Sequence, residues 1–181
     1  MRAAIAILLL LAATPLLAQQ KILRERGSQF VVTVGQEAPV FSFVTTNGDT
    51  LDSDLLRGQV ILVDFVASWC PFTPAQMEDH KKNFWEKLSS NPAFQMLTIS
   101  IDQHDDQQTF LNIANEAGLT SPLIFDTDEQ LYQLFVTPNG SVTRSLIIAP
   151  DWTIALLQDK HTRRGMRQIK HTLRHLLRST R

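Results

Sequence analysis

The 181-residue chain reads as one α/β domain: a three-layer sandwich with a central mixed sheet, helices on both faces and a β-hairpin at the N-terminal end. Three observations predict this. Apolar runs of strand length alternate with segments of helical spacing along most of the chain. Two runs, residues 60–63 and 94–101, are nearly continuous in apolar side chains, the pattern of strands covered on both faces. Asn47-Gly48, after two short strand-like runs, marks a tight turn.

The elements follow in order. Residues 30–34 and 40–44 are strand-like runs separated by Gly35 and Pro39. Ser53, with Gly58 behind it, predicts one capped helical turn. After the 60–63 strand, Met77, Phe84, Trp85 and Leu88 recur at helical spacing opposite Glu78, Asp79, Lys81 and Lys82, predicting a helix over 74–90. The 94–101 strand leads to a helix over 106–117 that turns Phe110, Leu111, Ile113 and Ala114 inward and ends at Gly118. A short strand (123–125), a short helix (129–135) and two strands (145–149 and 153–157) come next. The last helix, 163–178, puts Met166, Ile169, Leu173, Leu176 and Leu177 on one face and Arg164, Arg167, Lys170, Arg174 and Arg178 on the other.

Residues 1–18 have the layout of a secretory signal peptide: Arg2, an apolar stretch from Ala3 to Ala13, Pro15, then Leu16-Leu17-Ala18. The expected division is signal 1–18, lead 19–33 and folded domain 34–181, with an exported, periplasmic or extracellular location and no stable membrane span after cleavage. Without Arg2 the chain has 16 basic and 18 acidic side chains, a mature charge of −2 that gives nucleic acid no bulk attraction. Exported domains normally pair their cysteines, yet this chain has only Cys70. That residue is either a reactive thiol or a small buried hydrophobe.

Its neighbours point to the thiol. Cys70 follows a buried strand and precedes a helix, where unpaired N–H groups and the positive end of the helix dipole favour thiolate. Pro71 suits a first helical turn because no N–H is needed there. Trp69 offers one apolar wall beside the sulfur. The stretch Val63-Asp64-Phe65-Val66-Ala67-Ser68-Trp69-Cys70-Pro71 resembles the start of a thioredoxin active site. With Gly35-Gln36-Glu37-Ala38-Pro39, Ile99-Ser100-Ile101-Asp102 and Leu146-Ile147-Ile148, the chain is similar to the TlpA/ResA-like branch of the redoxin and AhpC/TSA families over residues 34–157.

The resemblance implies a thioredoxin-like fold and thiol chemistry without a cofactor or metal. It also exposes departures. Thioredoxin-like oxidoreductases carry Cys-x-x-Cys, and Thr73 stands where the second thiol would be; a hydroxyl cannot resolve a mixed disulfide, so an external reductant or resolving thiol is required. Asp64 matches the buried acid that thioredoxins use on that second thiol, leaving its role here open between local hydrogen bonding and tuning Cys70. Thr143 falls where the family has a cis-Pro facing the Cys; a cis bond before a non-Pro residue costs about 3–4 kcal/mol, so a trans bond is expected and client docking differs. Arg144 is a candidate to steady a thiolate or anion, or is a solvated strand-end Arg.

Three functions follow. The leading one is thiol-disulfide exchange by a monothiol, Cys70, with a protein or small-molecule thiol or disulfide as partner. A one-Cys peroxidase is the second, although Ala67 stands where peroxiredoxins have Thr or Ser. The third is a non-catalytic binding module. His80, His104, His161, His171 and His175 read as scattered surface residues, and Asp102, Asp105, Asp106, Asp126 and Asp128 as loop acids that cap helices.

Overall fold

A computed structural model gives the fold; it describes residues 29–102, 107–138 and 140–179. Asn47 and Gly48 do turn the chain: β1 (Ser42–Val44) pairs antiparallel with β2 (Thr50–Asp52), and Gly48 adopts φ +87°. The predicted strand at 30–34 is not one. Phe30 makes only an isolated bridge to Val136, although Phe30 and Val32 are buried against the body. The 3-10 turn Ser53–Leu56 is capped by Asp52, whose carboxylate accepts from the Asp54 N–H at 2.8 Å, while the Ser53 hydroxyl accepts from Phe41 N–H at 3.0 Å.

Next comes β3 (Val60–Val66), buried at every position. It continues to α1 (Thr73–His80), a π-helical segment Lys81–Trp85 and the short α2 (Glu86–Leu88), the expected helix with one widened turn. β4 (Phe94–Ser100), α3 (Gln107–Ala117), β5 (Leu123–Phe125), α4 (Gln130–Phe135), β6 (Arg144–Ile148), β7 (Ile154–Gln158) and α5 (Arg163–Ser179) complete the order.

The five-stranded sheet runs β5-β4-β3-β6-β7, with β3, β4 and β5 parallel and β6 and β7 antiparallel. Alternation along β3 divides the core in two. Ile61, Val63 and Phe65 face a layer that contains Phe41, Leu131, Tyr132, Phe135 and Trp152. Val60, Leu62 and Val66 face Met77, Phe84, Phe110, Ile169 and Leu173 from α1, α3 and α5. Both sheet edges are covered in part: residues 35–38 hydrogen-bond along 152–154 beside β7, and Thr46 N–H donates to the Leu123 carbonyl of β5 at 2.9 Å. Asp64 therefore lies on the α1/α5 side of the sheet and Arg144, opposite Phe65, on the other.

Candidate active site around Cys70

The end of β3 opens into a loop held by three ties. The Ala67 carbonyl accepts from the Cys70 N–H at 3.1 Å and from the Thr73 hydroxyl at 2.7 Å. The Ser68 N–H donates to Asp102 Oδ2 at 2.8 Å, and the Ser100 hydroxyl donates to the same oxygen at 2.9 Å. The third tie, Thr73 N–H to the Cys70 carbonyl at 3.0 Å, closes the turn. Asp102 thus anchors the loop.

Cys70 stands on the turn before α1, not within its first helical turn. The two bonds around it, Cys70 N–H to Ala67 and Thr73 N–H to Cys70, are both of the three-residue kind. Four-residue α-helical bonding begins only with Gln76 N–H to the Phe72 carbonyl at 3.0 Å. Pro74 takes the early helical position expected of Pro71, which is exposed on the turn. Cys70 is 7% accessible, whereas its neighbours Trp69 and Phe72 are 69% and 64% exposed. The thiol is recessed between two outward-facing aromatic side chains.

Beneath it, Thr73 is fully buried, and its hydroxyl is committed to the Ala67 carbonyl. One turn further along α1, Gln76 is also buried, and neither end of its amide has a hydrogen-bond partner among the described residues. Such a group costs stability unless something offsets its lost hydration.

Asp64 belongs to a separate polar seam. Its Oδ1 accepts from the Ser145 hydroxyl at 2.6 Å, and its Oδ2 lies 2.5 Å from His80 Nδ1, with Asp64, Ser145 and His80 all buried. The His80 ring stacks edge-on to Phe84 at 5.2 Å and lies 5.6 Å from the ring of His161, whose Nε2 is 2.9 Å from Asp79. Reading His80 and His161 as surface residues is therefore corrected. His80 falls between Met77 and Phe84 at helical spacing, and that spacing is the signal that could have placed it inside. His171 and His175 are exposed, while His104, Asp105 and Asp106 lie outside the described residues. Among the described residues no cluster of His, Cys, Asp and Glu is arranged to hold a metal ion.

Arg144 is neither solvated nor open to an anion. Its Nε donates to the Ser141 carbonyl at 2.6 Å, its NH2 group to the Ser141 hydroxyl at 3.0 Å and to Gln29, and its NH1 group pairs with Asp159. The guanidinium also lies over the Phe30 ring, 5.2 Å from its centroid. Burial pushes the nearby Tyr132 phenol above its ordinary range, and Arg144 opposes that shift. Thr143, next to Arg144, has φ +65°, a left-handed conformation rare for a β-branched residue; its hydroxyl donates to the Val142 carbonyl at 2.5 Å. No peptide bond among the described residues is cis. Asp126 caps α4 as expected, its two oxygens accepting from Leu131 N–H at 3.0 Å and Tyr132 N–H at 2.7 Å; burial raises its carboxyl above the usual range against those bonds.

The arrangement can be compared with known proteins. The model of the AhpC/TSA family matches residues 34–156. The chain belongs to the AhpC/TSA family. Within this family's reach, it is 21% identical over 141 residues to the thiol-disulfide oxidoreductase ResA of Bacillus subtilis (strain 168), covering 71% of this chain and 74% of that one. A candidate protein disulfide isomerase from Bacteroides thetaiotaomicron superposes with a TM-score of 0.78 at 24% identity, covering 83% of this chain and 94% of the other. A secreted Mycobacterium tuberculosis disulfide oxidoreductase homologous to E. coli DsbE gives 0.61 at 18% identity, over 75% and 96%. These similarities establish a thioredoxin-like fold, and this AhpC/TSA member carries it with a single cysteine.

Proposed function

We propose that the protein is an exported monothiol that performs one half of thiol-disulfide exchange. The Cys70 thiolate attacks a disulfide R–S–S–R′; a Cys70–S–S–R bond forms, the R–S–S–R′ bond breaks, and R′–S⁻ leaves with the electron pair. A thiol from outside then attacks the mixed disulfide, returns Cys70 as thiolate and carries R away as a new disulfide. The observation that carries this reading is Thr73: at the resolving position there is a fully buried hydroxyl already bonded to Ala67. Exposed Trp69 and Phe72 supply an apolar approach for a client segment.

Similarity to a secreted oxidoreductase and the apolar leader of residues 1–18 support export, with the leader as signal, 19–33 as lead and 34–181 as domain. No described helix is long and apolar enough to cross a membrane.

The test is mass spectrometry of the protein after reaction with a small aromatic disulfide and, in parallel, with hydrogen peroxide. The expected product is a Cys70 mixed disulfide that persists until a second thiol is added. Faster conversion to sulfenic acid by peroxide would establish a peroxidase instead. Failure to react with either reagent would leave a binding module whose Trp69 and Phe72 hold a client without chemistry.

A further inference from the structure

Charge is divided very unevenly along this chain. Residues 160–181 hold eight of its seventeen Lys and Arg and none of its eighteen Asp and Glu. Most of these cations lie on α5. At 100° per residue, Arg163, Arg167, Lys170, Arg174 and Arg178 fall within about 80° of arc, and Arg164 extends the stripe on one side. Ile169, Leu173 and Leu177 bury the other side of the helix in the core, so the stripe faces out. Among the described residues none of these cations is in an ion pair. Between α5 and β7 runs a shallow groove lined by Leu156, Arg164, Arg167, Gln168, His171 and Thr172.

We propose that this face docks on an anionic phospholipid surface, with headgroup phosphates meeting the stripe and the groove. One feature favours lipid over other polyanions. The groove combines the guanidiniums of Arg164 and Arg167 with an apolar wall at Leu156, matching a phosphate set above hydrocarbon. Attraction of this kind needs no apolar insertion and weakens with salt.

The experiment is co-sedimentation of the mature chain, residues 19–181, with vesicles of equal parts phosphatidylglycerol and phosphatidylcholine, against vesicles of phosphatidylcholine alone. Stronger binding to the anionic vesicles, falling as sodium chloride is added, is the expected result. Replacing Arg163, Arg167, Lys170 and Arg174 by Gln is expected to weaken the anionic component on the order of a thousandfold. These side chains are outside the core, so an unchanged circular dichroism spectrum accompanies the loss. Equal binding to both vesicle types, or an unaltered anionic preference in the variant, overturns the proposal. So does tighter retention on duplex DNA or on an acidic protein than on the anionic vesicles at matched ionic strength. Inorganic phosphate that displaces the protein no better than chloride of equal ionic strength supports a surface; selective displacement indicates a site for free phosphate and overturns it.

Discussion

Two regions of the molecule treat buried polar groups in opposite ways. Across β3 and β6 they are closely partnered: Asp64 holds Ser145 and His80, and Arg144 is gripped by Ser141, Gln29 and Asp159. On the helix that follows the thiol, Gln76 is buried without a partner among the described residues, and Trp69 and Phe72 beside Cys70 stand in solvent. An unfavourable local choice such as Gln76 is tolerated because the rest of the fold supplies the stability.

The contrast can be broken most strongly at Thr73. Thr73→Cys supplies the thiol that the loop lacks; the Cys70 mixed disulfide is then expected to release its small-molecule half without added thiol, detectable as an internal disulfide by mass spectrometry. A persistent adduct would show that the turn does not bring the two sulfurs into bonding geometry. Next in size is the seam. Asp64→Ala strips His80 and Ser145 of their shared acceptor and is expected to cost about 2–4 kcal/mol in chemical denaturation, as two buried polar groups lose their partner. The thiol region should respond in the other direction: Gln76→Leu removes an uncompensated amide and is expected to raise stability by about 1–3 kcal/mol. Thr143→Gly relieves the positive φ and is expected to gain about 1 kcal/mol, while Thr143→Pro, whose ring fixes φ near −65°, loses stability.

The smallest effect is at Asp126. Because burial raises its carboxyl in the folded state, that state binds the proton more tightly than the unfolded chain, and the contribution of Asp126 falls as pH rises through the window above 3.8. Asp126→Asn forfeits one capping bond but no longer titrates. Its deficit relative to wild type, measured by thermal unfolding, is expected to narrow between acid and neutral pH.

The sheet and its helices were legible because their signals are local. The all-apolar run of β3 and the helical spacing of α5 depend on residues a few places apart. β2 was missed because three residues with one buried side chain, Leu51, make no pattern, and 30–34 misled because strand-forming side chains there pack without a ladder. In the site, Cys70 stands out as the lone cysteine, and Thr73 could be named from the resemblance that Ala67-Ser68-Trp69-Cys70-Pro71 carries. The partner of Asp64 could not, since His80 meets it only after α1 has folded back over the sheet. Neither reading of Arg144, as an anion holder or as a solvated Arg, anticipates its partners, because Gln29 and Asp159 lie 115 and 15 residues away along the chain.

The buried Thr73 hydroxyl also changes the kinetic order of the proposed cycle. A dithiol protein discharges its client in a first-order step whose clock is internal. Here discharge is second order, so the residence time of a client on Cys70 lengthens in proportion as the surrounding thiol is diluted. The loop that ties Thr73 to Ala67 thereby hands the timing of release to the composition of the medium, and the protein becomes a gauge of how reducing that medium is.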